Sequence, residues 1–127
     1  MTAPLRIRAA EATLALAMLT RLPVPQLRDC PPVGASAWAW PLTGAVVGGL
    51  QAAVLLAAAA FLPPAMAAGL ALAAGMLLTG ALHEDGLADL ADGLSGGRTP
   101  EQRLEIMKDS RIGSYGAVAL ITALGLR

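Results

Sequence analysis

The sequence predicts an all-α fold: a polytopic bundle of transmembrane helices with a polar cytoplasmic loop. Three observations lead there. Apolar residues make up 56% of the 127 and charged residues only 14%, with a mean hydropathy of +0.63, far from ordinary soluble domains. No charged side chain occurs from Pro31 to Leu82. Directly after that run, four carboxylates and a histidine crowd into His83-Glu84-Asp85-Gly86-Leu87-Ala88-Asp89-Leu90-Ala91-Asp92-Gly93.

Residues 1–37 read as a short helix and a loop. Arg6 and Arg8 ahead of Ala12 to Leu19 suggest a signal peptide, but Glu11 and Arg21 flank a very short core, and Pro23 and Pro25 replace a small-residue cleavage site. An interfacial or short membrane helix is the better reading. Residues 38–82 read as a transmembrane hairpin. Its first run, Trp38 to Leu62, would be about 37 Å long as a helix, enough to span a bilayer core with tilt. Its second, Ala65 to Leu82, would be about 27 Å, and Pro63-Pro64 separates the two because neither proline continues a helix. Trp38 and Trp40 stand where interfacial tryptophans belong. Gly44 and Gly48, four apart, would let helix backbones approach closely.

Residues 83–114 form the polar segment. In its second half, Thr99-Pro100-Glu101-Gln102 predicts a helix start: Thr99 as N-cap, Pro100 as first helical residue and Gln102 as reciprocal partner of a capping box. The helix should run to about Lys108, and Gly96-Gly97 before it should be a hinge or tight turn. Residues 115–127 begin a further apolar run too short to cross a membrane, so the chain is expected to be part of a longer one. Arg21 and Arg28 precede the hairpin and Arg98, Arg103, Lys108 and Arg111 follow it, whereas the Pro-Pro tip has no basic residue. Both open ends should therefore face the cytoplasm.

Nine basic and nine acidic residues give no net charge, which argues against a nucleic-acid partner. Cys30 is the only cysteine, so there is no intrachain disulfide and no thiolate metal site.

The acidic segment carries the chemistry. No Lys or Arg lies between Glu84 and Arg98, so a cation must come from elsewhere. On a helix, at 100° per residue, Asp89 falls about 40° from Asp85 and Asp92 about 20° to the other side, placing all three on one face. Such like charges destabilise an isolated helix by roughly 0.2–0.5 kcal/mol per pair. Bound Mg2+ reverses that sign, and magnesium favours carboxylate oxygens together with water and substrate phosphate. Glu84, Asp85, Asp89 and Asp92 are thus the candidate metal ligands. The competing reading is a solvated acidic loop that merely ends a membrane helix. Against it stand Gly86 and Gly93, each following an acid, which suit backbone that approaches a ligand closely. His83 points about 160° from Asp85 on a regular helix and serves as general base only if the helix breaks there. Arg98, Lys108 and Arg111 are the complementary positive charges for a diphosphate, with Asp109 in the same polar stretch. Arg103 is expected to pair with Glu101 or Glu105.

Two stretches, His83-Glu84-Asp85-Gly86-Leu87-Ala88-Asp89 with Ala91-Asp92-Gly93 and Gly96-Gly97-Arg98, and then Leu104-Glu105-Ile106-Met107-Lys108-Asp109-Ser110-Arg111-Ile112-Gly113-Ser114-Tyr115-Gly116, resemble the cobalamin synthase family, the adenosylcobinamide-GDP ribazoletransferases. Leu19-Thr20-Arg21-Leu22-Pro23-Val24-Pro25 resembles that family's opening segment. The resemblance implies a multi-pass enzyme of the bacterial inner membrane, about twice this length, with this chain as its N-terminal portion. It implies Mg2+-dependent joining of adenosylcobinamide-GDP to α-ribazole or its 5′-phosphate, with release of GMP. By that resemblance Asp85, Asp89 and Asp92, with Glu84, hold the metal. His83 or a free carboxylate accepts the hydroxyl proton, while Arg98, Lys108, Asp109 and Arg111 contact substrate. Two other readings remain. A CDP-alcohol phosphotransferase also uses Asp-Gly-initiated carboxylates, but its motif continues Asp-Gly-x-x-Ala-Arg, whereas here Ala88 comes one place early and Asp89 replaces the arginine. An ion-coupled carrier would use the acids for a transported cation, though such sites usually lie near the bilayer midplane.

Overall fold

A computed structural model describes residues 3–127, and every regular element among them is a helix. These are α1 (Ala3–Leu19), a 3-10 helix (Val33–Ala39), α2 (Trp40–Ala59), α3 (Pro64–Thr79), α4 (Leu82–Gly96), α5 (Pro100–Lys108) and α6 (Ser114–Gly125). They fall into two compact units, one ending at Gly80 and the other running from Ala81 to Arg127.

In the first unit, α2 and α3 form the expected hairpin, with Pro63 as N-cap of α3 and Pro64 opening it where a missing N–H costs nothing. Small residues make the contact. Ala67, Ala71 and Gly75, four apart, are buried on α3, and Gln51 Nε2 of α2 donates to the Ala71 carbonyl at 3.2 Å. A β-carbon at Gly75 would overlap the Gln51 amide. The 3-10 helix and α2 together, Val33–Ala59, are the one continuous helical stretch among the described residues long and apolar enough to cross a bilayer. The second arm is shorter than its apolar run suggests, because α3 stops at Thr79 and Gly80 turns left-handed at φ 67°. Its 16 residues reach about 24 Å, short of a roughly 30 Å hydrocarbon core.

The Leu19 to Pro25 motif has a structural task here. Thr20 ends α1 with its hydroxyl donating to Leu16 O at 2.6 Å, and the Arg21 N–H donates to Leu78 O at 2.7 Å, tying the end of α1 to the end of α3. The Arg21 side chain then lies against Gly80, where a β-carbon would overlap its Nε. Near the start of the unit, buried Glu11 accepts from Trp38 Nε1 at 2.7 Å and from Arg8 at 3.0 Å, and the Arg8 guanidinium sits 5.4 Å from the Trp38 ring centroid. That triad fastens α1 to the 3-10 helix.

Candidate active site

The acidic segment belongs to the second unit and is helical without a break. α4 runs from Leu82 to Gly96 with Glu84 and Asp85 in its first turn, where the helix dipole favours negative charge. The 100° rule therefore holds across Asp85, Asp89 and Asp92, but their surroundings differ. Asp85 is exposed, Asp89 half-buried and Asp92 buried at 8% exposure. Asp85 and Asp89, one turn apart, make no side-chain hydrogen bond or ion pair among the described residues, so both carboxylates are free.

Asp92 is engaged with the start of α6, and Glu84 with Arg127, two residues past its end. The Gly113 N–H donates to Asp92 Oδ2 at 2.7 Å and the Gly116 N–H to Asp92 Oδ1 at 2.8 Å. Eight residues earlier on the same strip, Glu84 Oε1 accepts from Arg127 at 3.1 Å, and its buried Oε2 has no hydrogen-bond partner among the described residues. Ala88, midway between, is buried. His83 lines a cavity of about 20 Å³ with Glu84, Leu87, Leu120 and Leu124. Because α4 does not break, His83 stays about 160° around the axis from Asp85. The condition for its acting as general base on that face is not met. Among the described residues, no three of His, Cys, Asp and Glu lie close enough together to hold one ion.

The basic complement is arranged around α5. Thr99 caps it as expected, accepting from the Gln102 N–H at 3.3 Å, and Pro100 opens a helix that ends at Lys108. The reciprocal bond is displaced by one residue: Gln102 Oε1 accepts from the Arg98 N–H at 3.1 Å instead of from the N-cap. The carboxyl of Glu101 is held below the usual glutamate range by its own backbone N–H and then by the Thr99 hydroxyl. Arg103 does not pair with Glu101 or Glu105. Its Nε donates to Gly97 O at 3.1 Å, which the α4–α5 corner brings within reach. Gly97 is no hinge either. It is buried and extended, and a β-carbon there would lie 2.7 Å from the Arg103 nitrogen, so it is glycine for packing. Gly93 is likewise buried against Met107, which accounts for it without a ligand, whereas Gly86 faces open space.

Arg98 and Lys108 are exposed and have no ion-pair partner among the described residues. Asp109 and Arg111 are paired with each other, the Arg111 NH2 to Asp109 Oδ2 distance being 2.6 Å, and the Arg111 N–H donates to Asp109 Oδ1 at 3.0 Å in a tight turn. The Arg111 guanidinium hydrogen bond, then that backbone N–H, hold the Asp109 carboxyl below the usual aspartate range. Asp109 also borders a shallow cavity of about 300 Å³ with Gly96, Gln102, Glu105 and Ile106. Sequence reasoning missed the Asp92 link to α6. Its one legible sign is that Gly113, at the N-cap of α6, has no side chain to satisfy the first N–H groups, so an acceptor must come from elsewhere.

The described residues are thus all-helical, with an apolar small-residue hairpin in one unit and, in the other, a helix bearing two free carboxylates followed by basic residues. The chain belongs to the CobS family, described as cobalamin-5-phosphate synthase, whose profile matches residues 11–127. It is 52% identical over 126 residues to an adenosylcobinamide-GDP ribazoletransferase of Xanthobacter autotrophicus, covering 94% of this chain and 48% of that protein. Over 116 residues it is 52% identical to the enzyme of that name from Leptothrix cholodnii, covering 90% and 44%. The Bradyrhizobium diazoefficiens relative is 50% identical over 121 residues, covering 93% and 46%. The chain thus spans about half the length of the curated relatives it matches. No solved structure matches it. Neither the CDP-alcohol phosphotransferase reading nor the carrier reading finds support in these matches.

Proposed function

We propose that this chain supplies the acidic face of an adenosylcobinamide-GDP ribazoletransferase, joining adenosylcobinamide-GDP to α-ribazole or its 5′-phosphate and releasing GMP. The observation that carries the reading is the pair of uncommitted carboxylates, Asp85 and Asp89, one turn apart on α4 in a chain of this family. Two carboxylates and a substrate diphosphate are a sufficient ligand set for Mg2+, which usually keeps several waters. Asp85 and Asp89 would hold the ion. When bound, it would neutralise diphosphate charge and make the phosphorus more electrophilic.

The protein residues do the rest by position. A ribose hydroxyl oxygen of α-ribazole forms the new bond to the cobinamide-side phosphorus, the bond to the bridging oxygen breaks, and GMP departs with the electron pair. The hydroxyl proton goes to a free carboxylate oxygen of Asp85 or Asp89, not to His83. Arg98 and Lys108, uncommitted and exposed, steady charge on the departing GMP, as does Arg111 once its exposed pairing with Asp109 gives way to phosphate. We place the protein in the bacterial inner membrane as a multi-pass enzyme with this segment on the cytoplasmic side, supported by the apolar hairpin and the distribution of Arg and Lys.

The test is the full-length protein in membranes, supplied with adenosylcobinamide-GDP, α-ribazole and Mg2+ and followed by GMP release. Asp85→Asn and Asp89→Asn should each cut turnover at least a hundredfold while the protein still inserts. Wild-type turnover in both would remove them from the chemistry. For orientation, Ser95→Cys in a Cys30→Ser background should react with a membrane-impermeant thiol reagent from the cytoplasmic side; reaction only from the periplasm would reverse the topology.

A further inference from the structure

We infer that Asp92 is a positioning residue and not a metal ligand: its carboxylate fixes the peptide that carries Asp109 and Arg111 to the helix that carries Asp85 and Asp89. This rests on the proposed reading of those residues as the site.

Both Asp92 oxygens are already used, Oδ2 by the Gly113 N–H and Oδ1 by the Gly116 N–H. These are the N-cap and first-turn donors of α6, which has no side-chain cap of its own. A carboxylate at this spot satisfies orphan donors and meets the positive end of the helix dipole at once. At 8% exposure it leaves little room for a hydrated ion, and Mg2+ gives up its waters reluctantly. The fit has been cleared on the other side too. A β-carbon at Gly113 or Gly116 would overlap the Asp92 carboxylate, and one at Gly116 would also come within 3.0 Å of the Ala88 carbonyl oxygen. Two glycines therefore make space for one acid. Gly113 lies two residues after Arg111, and Asp92 lies three after Asp89. The two hydrogen bonds are the short route by which the two halves of the site are held in register.

The experiment uses full-length protein in lipid nanodiscs, with Mn2+ as the paramagnetic probe of the metal site and amide exchange at 113–116 as the probe of the clamp. Asp92→Asn keeps one acceptor oxygen but presents an NH2 to the other glycine. Gly113→Ala leaves Asp92 intact but displaces its carboxylate. Both variants should speed exchange at 113–116 at least tenfold and keep Mn2+ affinity within threefold of wild type. Both should raise the KM for adenosylcobinamide-GDP about tenfold without changing the Mg2+ concentration giving half-maximal rate. Asp85→Asn and Asp89→Asn should do the converse, weakening Mn2+ with the clamp intact. A tenfold loss of Mn2+ affinity in Asp92→Asn with 113–116 still protected would overturn the assignment, as would unchanged exchange in both clamp variants. If exchange rises as expected but Asp85→Asn and Asp89→Asn leave Mn2+ binding unchanged, Asp92 keeps its clamping role and the metal reading of the proposed function fails instead.

Discussion

Gly86 and Gly93 lie in one helix, each after an aspartate, and the structure assigns them opposite responses to the same substitution. At Gly86 an added β-carbon meets nothing within 4 Å. Alanine there gains only helix propensity, worth about 1 kcal/mol. At Gly93 the β-carbon would lie 2.6 Å from Met107 Cε and Cγ and 3.1 Å from the Arg103 carbonyl oxygen. The methionine can swing aside, but the carbonyl belongs to the backbone of α5. Overpacking of this kind costs roughly 1–3 kcal/mol. The propensity gain is common to both variants, so the difference between them isolates the steric cost at about 1–3 kcal/mol. Amide exchange across α4 and α5 in the full-length protein reads it directly. Gly86→Ala should slow exchange about fivefold, and Gly93→Ala should exchange roughly 5 to 150 times faster than Gly86→Ala. Equal protection in the two variants would refute the claim that α5 packs on Gly93.

Three further outcomes follow from local geometry. Thr99→Ala removes the one side-chain cap of α5 and should cost about 1 kcal/mol, seen as faster exchange at the Gln102 amide; no change would mean that the displaced Gln102 bond alone holds the helix start. Gly80→Ala forces a left-handed alanine, at about 1–2 kcal/mol, and also dislodges Arg21, so the unfolding midpoint in mild detergent should fall more than that conformational term alone predicts. The depressed Asp109 carboxyl contributes stability that is present above its unfolded titration range and lost as pH falls through its folded one. Arg111→Gln should accordingly move the Asp109 midpoint upward in a carboxyl-resolved titration, and an unmoved midpoint would show that the pair does not form in solution.

Much of this was legible because local rules sufficed. Charge-free runs and Pro63-Pro64 mark the hairpin, and Thr99-Pro100 and Lys108 bracket α5 as read, because capping chemistry acts within one turn. The shared face of Asp85, Asp89 and Asp92 follows from helix geometry alone. What separates those acids does not, since the donors to Asp92 stand 21 and 24 residues further on. The same limit applies to Arg103, whose near neighbours Glu101 and Glu105 invite an i±2 pairing while the fold offers it the Gly97 carbonyl. Trp38 illustrates it over 27 residues: its place at the edge of an apolar run suggested an interface anchor, while its indole N–H is spent on Glu11. Left-handed Gly80 shortened α3 because the apolar run continues past the residue that stops the helix.

Apart from the two buried acids Glu11 and Asp92, the buried residues described above are alanine, glycine, threonine and serine, with Leu14 the one large aliphatic among them, while Leu42, Val46, Leu50, Leu56, Leu70 and Leu77 are exposed. That inverts the usual map of mutational tolerance. Trimming an outward leucine to alanine leaves no void, whereas enlarging Ala67 or Ala71 wedges two backbones apart, so drift in such a chain should be generous in side-chain bulk at the periphery and nearly forbidden along the seam.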